Sequence, residues 1–388
     1  MTAPLRVAVV GVGRWGRNLA SSLGKIPSCR LVALCDSDAE RVQQVGEELG
    51  VERRSLQYDE MVGAHDIDAI VLSTPPETHA EMARQAVEAG KHVFVEKPLA
   101  TSLADGLLLE RSATHTGRLV MAGHLLRYHD GLAALRKLIV RGDIGDVLWA
   151  VSRRLGWRSA DRCGPWWSLA PHDLCVLRGI FGGEPKRIAA AAALSPPSSR
   201  NPVRALLGGG GSIPPPSQVR SPVRVVAATE FEGPIPALID VGLLDESKMR
   251  KVVVVGSLAV ARFEDGIDGG IWLKELPRTP SLPMLPSKDE PFSVEQADEL
   301  LAKVDDLCNR GGVWIQTTAK WDNPLYEEMH RFVAACGDPR IARVEMDDAL
   351  AILRALEAGS RSMREGGRCL VVPGPARHES STWEISAR

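Results

Sequence analysis

The chain has 388 residues, 44% of them hydrophobic and 25% charged, with a formal net charge of −2 and a pI near 6.5. That composition suits a soluble globular protein with material for two domains, and so even a charge balance gives no electrostatic case for nucleic acid or an anionic membrane. No apolar run is long enough to span a bilayer, no basic leader precedes the first apolar segment, and seven scattered cysteines without a C-x-x-C pair imply reduced thiols in a cytoplasm.

In chain order, the first predicted element is a strand over residues 5–10, running straight into Gly11-Val12-Gly13-Arg14-Trp15-Gly16. A helical segment follows, then a second strand over 31–35 that stops at Asp36. Strand, Gly-x-Gly-x-x-Gly, helix, strand and acid is the order a dinucleotide requires. Gly11 permits the tight turn, Gly13 the close approach of a pyrophosphate and Gly16 the packing of helix on sheet, while Asp36 sits where a carboxylate accepts the adenosine ribose hydroxyls. Asp36 would repel a 2′-phosphate, so NAD is the expected cofactor; Arg41, about one helical turn on, keeps NADP open.

Alternation of strands and helices continues to about residue 122 and predicts a doubly wound parallel sheet. Strands are expected over 67–72, 91–95 and 119–122, and helices over 77–89 and 102–115. Gly90 and Gly117 close those helices, and Ser102 or Thr101 caps the second. The loops at the strand ends, Ser73-Thr74-Pro75-Pro76 and Glu96-Lys97-Pro98, should join the glycine loop around one crevice. A lysine at that position can hydrogen-bond a substrate hydroxyl and stabilise a developing alkoxide, or it can simply pair with Glu96 in solvent.

Beyond residue 123 the pattern changes. Helices are expected over 131–141, 168–181 and 346–363, and strands around 147–151 and over 223–231, 251–255 and 258–264. In the strand at 147–151, Val147, Trp149 and Val151 should face one way and Leu148 and Ala150 the other. The series implies an α+β domain with an open, mostly antiparallel sheet. The second face of that sheet needs cover, so a homodimer or homotetramer built sheet against sheet is expected. Domains are therefore placed at 1–123 and 124–388, with Gly/Pro-rich surface loops over 195–222 and 277–291.

Trp166-Trp167-Ser168-Leu169-Ala170-Pro171-His172-Asp173 is the second chemical constellation. If Ser168, Ala170 or Pro171 opens a helix, His172 and Asp173 lie in its first turns. His172 is then either a proton acceptor for an alcohol or a structural histidine, and Asp173 orients it or binds a substrate hydroxyl. His124, Arg127 and Tyr128 lie at the domain junction, where a substrate would be held, and the run of Arg153, Arg154, Arg158 and Arg162 is either suited to a diphosphate or a carboxylate or only solubilises a strand edge. Trp157, Trp166 and Trp167 are either stacking platforms or core. A zinc site from His124, His129, Cys163, His172 and Cys175 fails on spacing, so no metal is expected.

Val10-Gly11-Val12-Gly13-Arg14-Trp15-Gly16, Ser73-Thr74-Pro75-Pro76-x-x-His79 and residues 89–99, ending Val95-Glu96-Lys97-Pro98-Leu99, resemble the glucose-fructose oxidoreductase / inositol dehydrogenase / rhizopine catabolism (Gfo/Idh/MocA) family. The resemblance continues through Val254-Val255-Gly256-Ser257 and Asn323-Pro324-Leu325. It implies an NAD(P) Rossmann domain, a second domain with an open sheet, a cis bond before Pro98, and Lys97 and His172 as the catalytic pair. Arg14, Trp15, Ser73, Thr74, Pro75, His79 and Glu96 would join Gly11, Gly13, Gly16, Asp36 and Lys97 around the cofactor. His124, Arg127, Tyr128, Arg154, Trp167, Ser168 and Asp173 would join Lys97 and His172 around the substrate.

Gly123 to His129 and Trp166 to Asp173 are similar to the sugar-nucleotide branch, which oxidises C3 of UDP-N-acetylglucosamine-type substrates or their uronic acids. Ser168 stands where many members carry an acid. The expected activity is NAD-dependent oxidation of a secondary hydroxyl of a hexose derivative, most simply a nucleotide-linked amino sugar or uronic acid. An NADP-dependent ketosugar reductase, an inositol or free-sugar dehydrogenase, and a non-catalytic NAD-binding redox sensor stay open beside it.

Overall fold

The computed structural model describes residues 3–156, 163–194, 222–231, 235–243, 248–265, 270–280, 290–317 and 323–374. The first domain is built from strands β1 (Leu5–Val10), β2 (Cys29–Cys35), β3 (Arg54–Ser55), β4 (Ala69–Leu72), β5 (His92–Val95) and β6 (Val120–Ala122). Helices α1 (Arg14–Leu23), α2 (Ala39–Leu49), α3 (Tyr58–Gly63), α4 (Pro76–Glu88) and α5 (Leu103–Thr116) connect them. All strands are parallel, in the order β3-β2-β1-β4-β5-β6, so the chain reverses direction of winding between β1 and β4. Val7 to Val10 and Ala69 to Leu72 are buried on both faces, which is why these strands read as continuous apolar runs. Asp38 caps α2 by accepting the Arg41 amide, and Ser102 caps α5 by accepting that of Asp105.

A short 3-10 turn (Leu125–Tyr128) and α6 (Asp130–Val140) lead into the second domain. Its sheet contains β7 (Val147–Leu155), β8 (Arg187–Leu194), β9 (Pro222–Phe231), β10 (Ile235–Gly242), β11 (Met249–Gly256), β12 (Ala259–Glu264), β13 (Gly270–Glu275), β14 (Ile315–Thr317) and β15 (Leu370–Val371). The order is β14-β13-β12-β11-β7-β10-β9-β8-β15, antiparallel apart from the β7/β10 pair. The two-domain architecture expected from the sequence is thus present. Within β7, Trp149 and Val151 face one side and Ala150 the other, but Val147 joins Ala150's side. Trp149 pairs with Val255 while Val147 pairs with Gly256, so one extra residue in β7 flips the alternation.

Four helices complete the fold: α7 (Gly164–Phe181), α8 (Val294–Asn309), α9 (Pro324–Ala335) and α10 (Pro339–Arg364). Helix α7 covers one face of the second sheet. The other face is covered by α8, whose Ala297, Leu300, Leu301, Val304 and Cys308 pack on Trp149, Val151, Val226, Leu238, Val253 and Val255. The premise for a sheet-to-sheet oligomer, an uncovered second face, is therefore corrected: a segment of the same chain buries that surface. Helix α8 is fixed at both ends. Ser293 and Gln296 form a capping box, and the Lys274 ammonium donates to the carbonyls of Leu307, Cys308 and Arg310 at 2.7, 2.9 and 2.8 Å.

Helices α9 and α10 return to the first domain, so the boundary drawn at residue 123 is crossed by the chain's later helices. Met329, Phe332, Val333 and Ala335 of α9 pack with Val7, Val9 and Phe94, and Leu350 and Leu353 of α10 lie over Gly106 of α5. One continuous core runs from Ala8, Ile70 and Leu109 through Leu350, Leu353 and Leu356 to Ile188, Val225 and Val252. Most of 195–222 and 277–291, together with Trp157, Arg158 and Arg162, lies outside the described residues.

Candidate active site

The glycine loop, Asp36, the 73–76 loop and the 96–98 turn all leave the carboxyl edge of the first sheet around the β1/β4 switch point, the place where open α/β sheets bind ligands. Gly11 has φ of +82°, and a Cβ there would stand 2.6 Å from the Ser73 carbonyl oxygen; one on Gly16 would stand 1.8 Å from the Gly11 oxygen. Both glycines are thus dictated by close packing of protein on protein. Gly13 differs, because a Cβ on it would meet no atom within 4 Å. The space beside Gly13 opens onto the start of α1, which has no side-chain cap and no acid in its first turn, so its amide donors face that space. An open cradle over uncapped amides fits the pyrophosphate of a dinucleotide.

Asp36 is 7% exposed at the end of β2. Its Oδ2 accepts the Val12 amide at 2.8 Å, and its Oδ1 accepts the Asp38 amide at 3.0 Å and Arg41 Nη1 at 3.1 Å. Arg41 also reaches Asp38 at 2.9 Å. The cation that the sequence left one turn away is therefore in contact with the acid expected at the ribose. Arg14 is exposed, and Trp15, on the rim, donates its Nε1–H to Glu96 Oε1.

On the opposite wall, His79 is 1% exposed, with Nδ1 2.8 Å from the Pro98 carbonyl and Nε2 2.8 Å from the Thr74 carbonyl. Expected beside the cofactor, this ring sits between two loops with a backbone oxygen at each nitrogen; burial lowers its pKa, so the neutral ring donates its one N–H to one of the two carbonyls. Thr74 Oγ1 lies 2.8 Å from Thr78 Oγ1, inside the wall that Ser73, Thr74 and Pro75 form.

The Lys97–Pro98 bond is cis, as the resemblance implied. Lys97 is half-buried, and its Nζ donates to the Ser168 carbonyl at 2.8 Å. Ser168 lies one helical turn before His172 in α7, so an amine from the first domain and an imidazole from the second share one corner of the crevice. Burial, with Lys97 and Arg154 nearby, holds the His172 pKa well below its ordinary value, so the ring is neutral. His172 Nδ1 is buried with no hydrogen-bond partner among the described residues. The helix opens at Gly164, with Pro165 in its first turn and Pro171 inside it, so His172 and Asp173 lie in its third turn rather than the first. Pro171 lacks the amide that would bond the Trp167 carbonyl, an interruption the tight packing of α7 tolerates.

Several residues expected on the substrate are occupied elsewhere. Asp173 is 0% exposed and faces β7: Oδ1 accepts the Ser152 hydroxyl at 2.6 Å, and Oδ2 accepts Arg154 Nε at 3.1 Å. Burial pushes its carboxyl up, against the pull of Arg154 and Ser152. Arg127 pairs with Glu345 at 2.8 Å and Asp348 at 2.7 Å. Trp167 donates to Ser360 at 3.0 Å, and the Ser168 hydroxyl to the Gly164 carbonyl at 2.7 Å. His124 is buried behind Lys97 with its pKa lowered to about 3 by desolvation and by Arg127, Lys97 and Arg178. The Tyr128 hydroxyl is buried without a partner among the described residues. The sequence reading missed Glu328, Glu345 and Asp348, the acids that stand behind this corner. Glu328 was detectable as an acid on the apolar stripe Leu325, Met329, Phe332 and Val333 of α9. Among the described residues no group of three or more His, Cys, Asp or Glu side chains is placed to hold a metal ion, and no helix is long and apolar enough to cross a membrane.

Residues 5–124 match the Gfo/Idh/MocA family model, described as an oxidoreductase family with an NAD-binding Rossmann fold. Scyllo-inositol 2-dehydrogenase (NAD(+)) of Bacillus subtilis is 35% identical over 194 residues, 47% of this chain and 56% of that one. 2,7-Anhydro-N-acetylneuraminate hydratase of Mediterraneibacter gnavus is 30% identical over 191 residues, 47% of this chain and 50% of that one. The chain thus spans about half the length of the curated relatives it matches. Among solved structures, KijD10, a 3-ketoreductase from Actinomadura kijaniata in complex with TDP-benzene and NADP, superimposes with a TM-score of 0.71 at 17% identity. That match covers 94% of this chain and 98% of KijD10.

Proposed function

We propose, from the match of residues 5–124 to the Gfo/Idh/MocA oxidoreductase family model, that this chain is an NAD-dependent dehydrogenase of a secondary hydroxyl on a hexose derivative. The first candidate substrate is a nucleotide-linked amino sugar or uronic acid, oxidised at C3. The observation that carries the reading is the seating of Lys97 Nζ on the Ser168 carbonyl, one turn from a neutral His172, at the edge of a crevice whose other wall fits a pyrophosphate.

When bound, a nicotinamide supplies the hydride acceptor. The chain's own residues handle the proton. Lys97 donates a hydrogen bond to the hydroxyl oxygen and stabilises its developing charge. His172 takes the proton on Nε2, because Nδ1 is sealed inside the protein; this requires the Nδ1–H tautomer. Asp173, through Arg154, and Glu345 with Asp348, through Arg127, hold the walls on which these two groups stand.

Two observations support other readings within the same chemistry. The 35% identity to an inositol dehydrogenase favours a cyclitol substrate. The Arg41–Asp36 contact places a cation at the ribose end, which favours NADP and ketosugar reduction. Purified protein should be incubated with NAD or NADP and, in turn, UDP-linked hexosamines, their uronic acids, hexose phosphates and inositols, reading the reduced nicotinamide absorbance. Lys97→Met and His172→Ala are expected to keep cofactor binding and to lose about 10²–10⁴-fold in turnover. Cofactor binding without an absorbance change on any substrate would instead make the chain a sensor.

A further inference from the structure

Behind the lysine turn lies a half-buried acid that the mechanism does not use. Glu96 leaves β5 and lies against Gly123, where a Cβ would stand 3.1 Å from its Oε1. Its carboxylate accepts the Trp15 indole N–H from the glycine loop and, at 3.1 Å, the Lys97 amide. One carboxylate therefore ties the cofactor loop to the lysine turn.

Helix α9 faces it. Phe94, two residues before Glu96 on the same face of the strand, meets Phe332 edge-on with ring centroids 5.6 Å apart. Phe332 lies one turn after Glu328, so the register of this strand–helix contact sets Glu328 on the side of Glu96, whose charge acts on it. Glu328 is 0% exposed, no side chain among the described residues donates to its carboxylate, and the His124 backbone amide is the donor that stands against it. Two neighbouring carboxylates, one of them closed to water, disfavour joint ionisation, and a buried carboxylate with a single amide donor is costly.

We propose that Glu328 is a positioning residue that remains protonated and shares that proton with Glu96, fixing the carboxylate that holds Trp15 and the Lys97 turn. The electrostatics run the same way: burial, then Glu96 and Glu345, push the Glu328 pKa well up, and burial raises that of Glu96. The other groups around the pair are Lys97, Arg127, Arg331, a neutral His124 and the protonated Tyr128. Arg127 is held by Glu345 and Asp348, and Lys97 by Ser168. The consequence for turnover rests on the reading of Lys97 given above; the protonation and the cofactor loop do not.

The test compares wild type with Glu328→Gln, which keeps a donor without a proton to lose, and Glu328→Leu, which keeps bulk alone. Infrared spectroscopy at pH 7 should show a carboxylic-acid C=O band in wild type that is absent in Glu328→Gln. Calorimetric NAD affinity should be unchanged in Glu328→Gln and about tenfold weaker in Glu328→Leu, the loss of one hydrogen bond to a charged acceptor. Affinity should fall at alkaline pH in wild type and stay level in Glu328→Gln. No acid band, or an alkaline fall shared by both proteins, would overturn the proposal. If Glu328→Leu does not fold, the wild-type and Glu328→Gln comparison decides alone. Because these readouts need no substrate, an inactive enzyme with the expected band and affinities would refute the dehydrogenase reading and leave the shared proton standing.

Discussion

Replacing Asp173 separates two roles for this acid. In the structure it is a tie between α7 and β7, bonded to Ser152 and Arg154 and closed to solvent. Asp173→Ala leaves Arg154, itself 8% exposed, as a buried cation without its carboxylate. Removing one partner of a buried ion pair costs about 3–5 kcal/mol, because the remaining charge is not rehydrated. Asp173→Asn keeps an acceptor oxygen and should cost about 1–2 kcal/mol, and Ser152→Ala about 1 kcal/mol. Urea unfolding followed by circular dichroism gives these differences, and the KM of the best substrate is measured on the same proteins. The expected pattern is a stability ladder in that order with KM nearly unchanged in Asp173→Asn. An Asp173→Ala protein within about 1 kcal/mol of wild type but with a sharply raised KM would refute the reasoning and put the carboxylate on the substrate.

The two glycines of the loop should fail differently. Gly13→Ala places a methyl where no protein atom lies within 4 Å, so the fold should be kept while NAD binds about tenfold or more weakly; unchanged affinity in calorimetry would remove the cradle. Gly16→Ala drives a methyl to 1.8 Å from the Gly11 oxygen and should lower thermal stability even without cofactor. Lys274→Met strips three carbonyls at the end of α8 of their donor. It should cost about 2–4 kcal/mol in urea and raise binding of an apolar dye as α8 loosens from the sheet; a dye response like that of wild type would contradict the capping role. His124, with its folded pKa lowered to about 3, cannot follow the unfolded chain as that chain takes up a proton below about pH 6.5. Stability should therefore fall with decreasing pH through that window, by up to about 1.4 kcal/mol per pH unit for this group. His124→Gln should show a slope shallower by one proton, and equal slopes would contradict burial of a neutral ring.

The first domain was legible because its signals are local. The Gly11–Gly16 turn, the stop at Asp36 and the Glu96-Lys97-Pro98 turn each sit at a strand end, and strand ends were clear from continuous apolar runs. The second domain was harder. Strand β8, Arg-Ile-Ala-Ala-Ala-Ala-Ala-Leu, carries almost no strand-forming residues and is held by β9, not by its own propensity. Pro171 looked like a helix opener because proline favours first turns, but Pro165 already fills that place. The reversal at Val147 follows from a bulge that only the pairing with β11 creates. Asp173 and Arg127 have the residue types of substrate ligands, yet their partners Arg154, Ser152, Glu345 and Asp348 reach them only through tertiary packing. Linear spacing gives no sign of such pairings.

A single apolar core threads both lobes, from Ala8 and Leu109 through Leu350 and Leu356 to Ile188 and Val252. Lobes joined through a large greasy interior do not swing as independent plates. The contact of Lys97 with α7 is accordingly held at one spacing, and the crevice beside it keeps one width. Melting should likewise take the two lobes together, since neither keeps a complete interior once the other is gone.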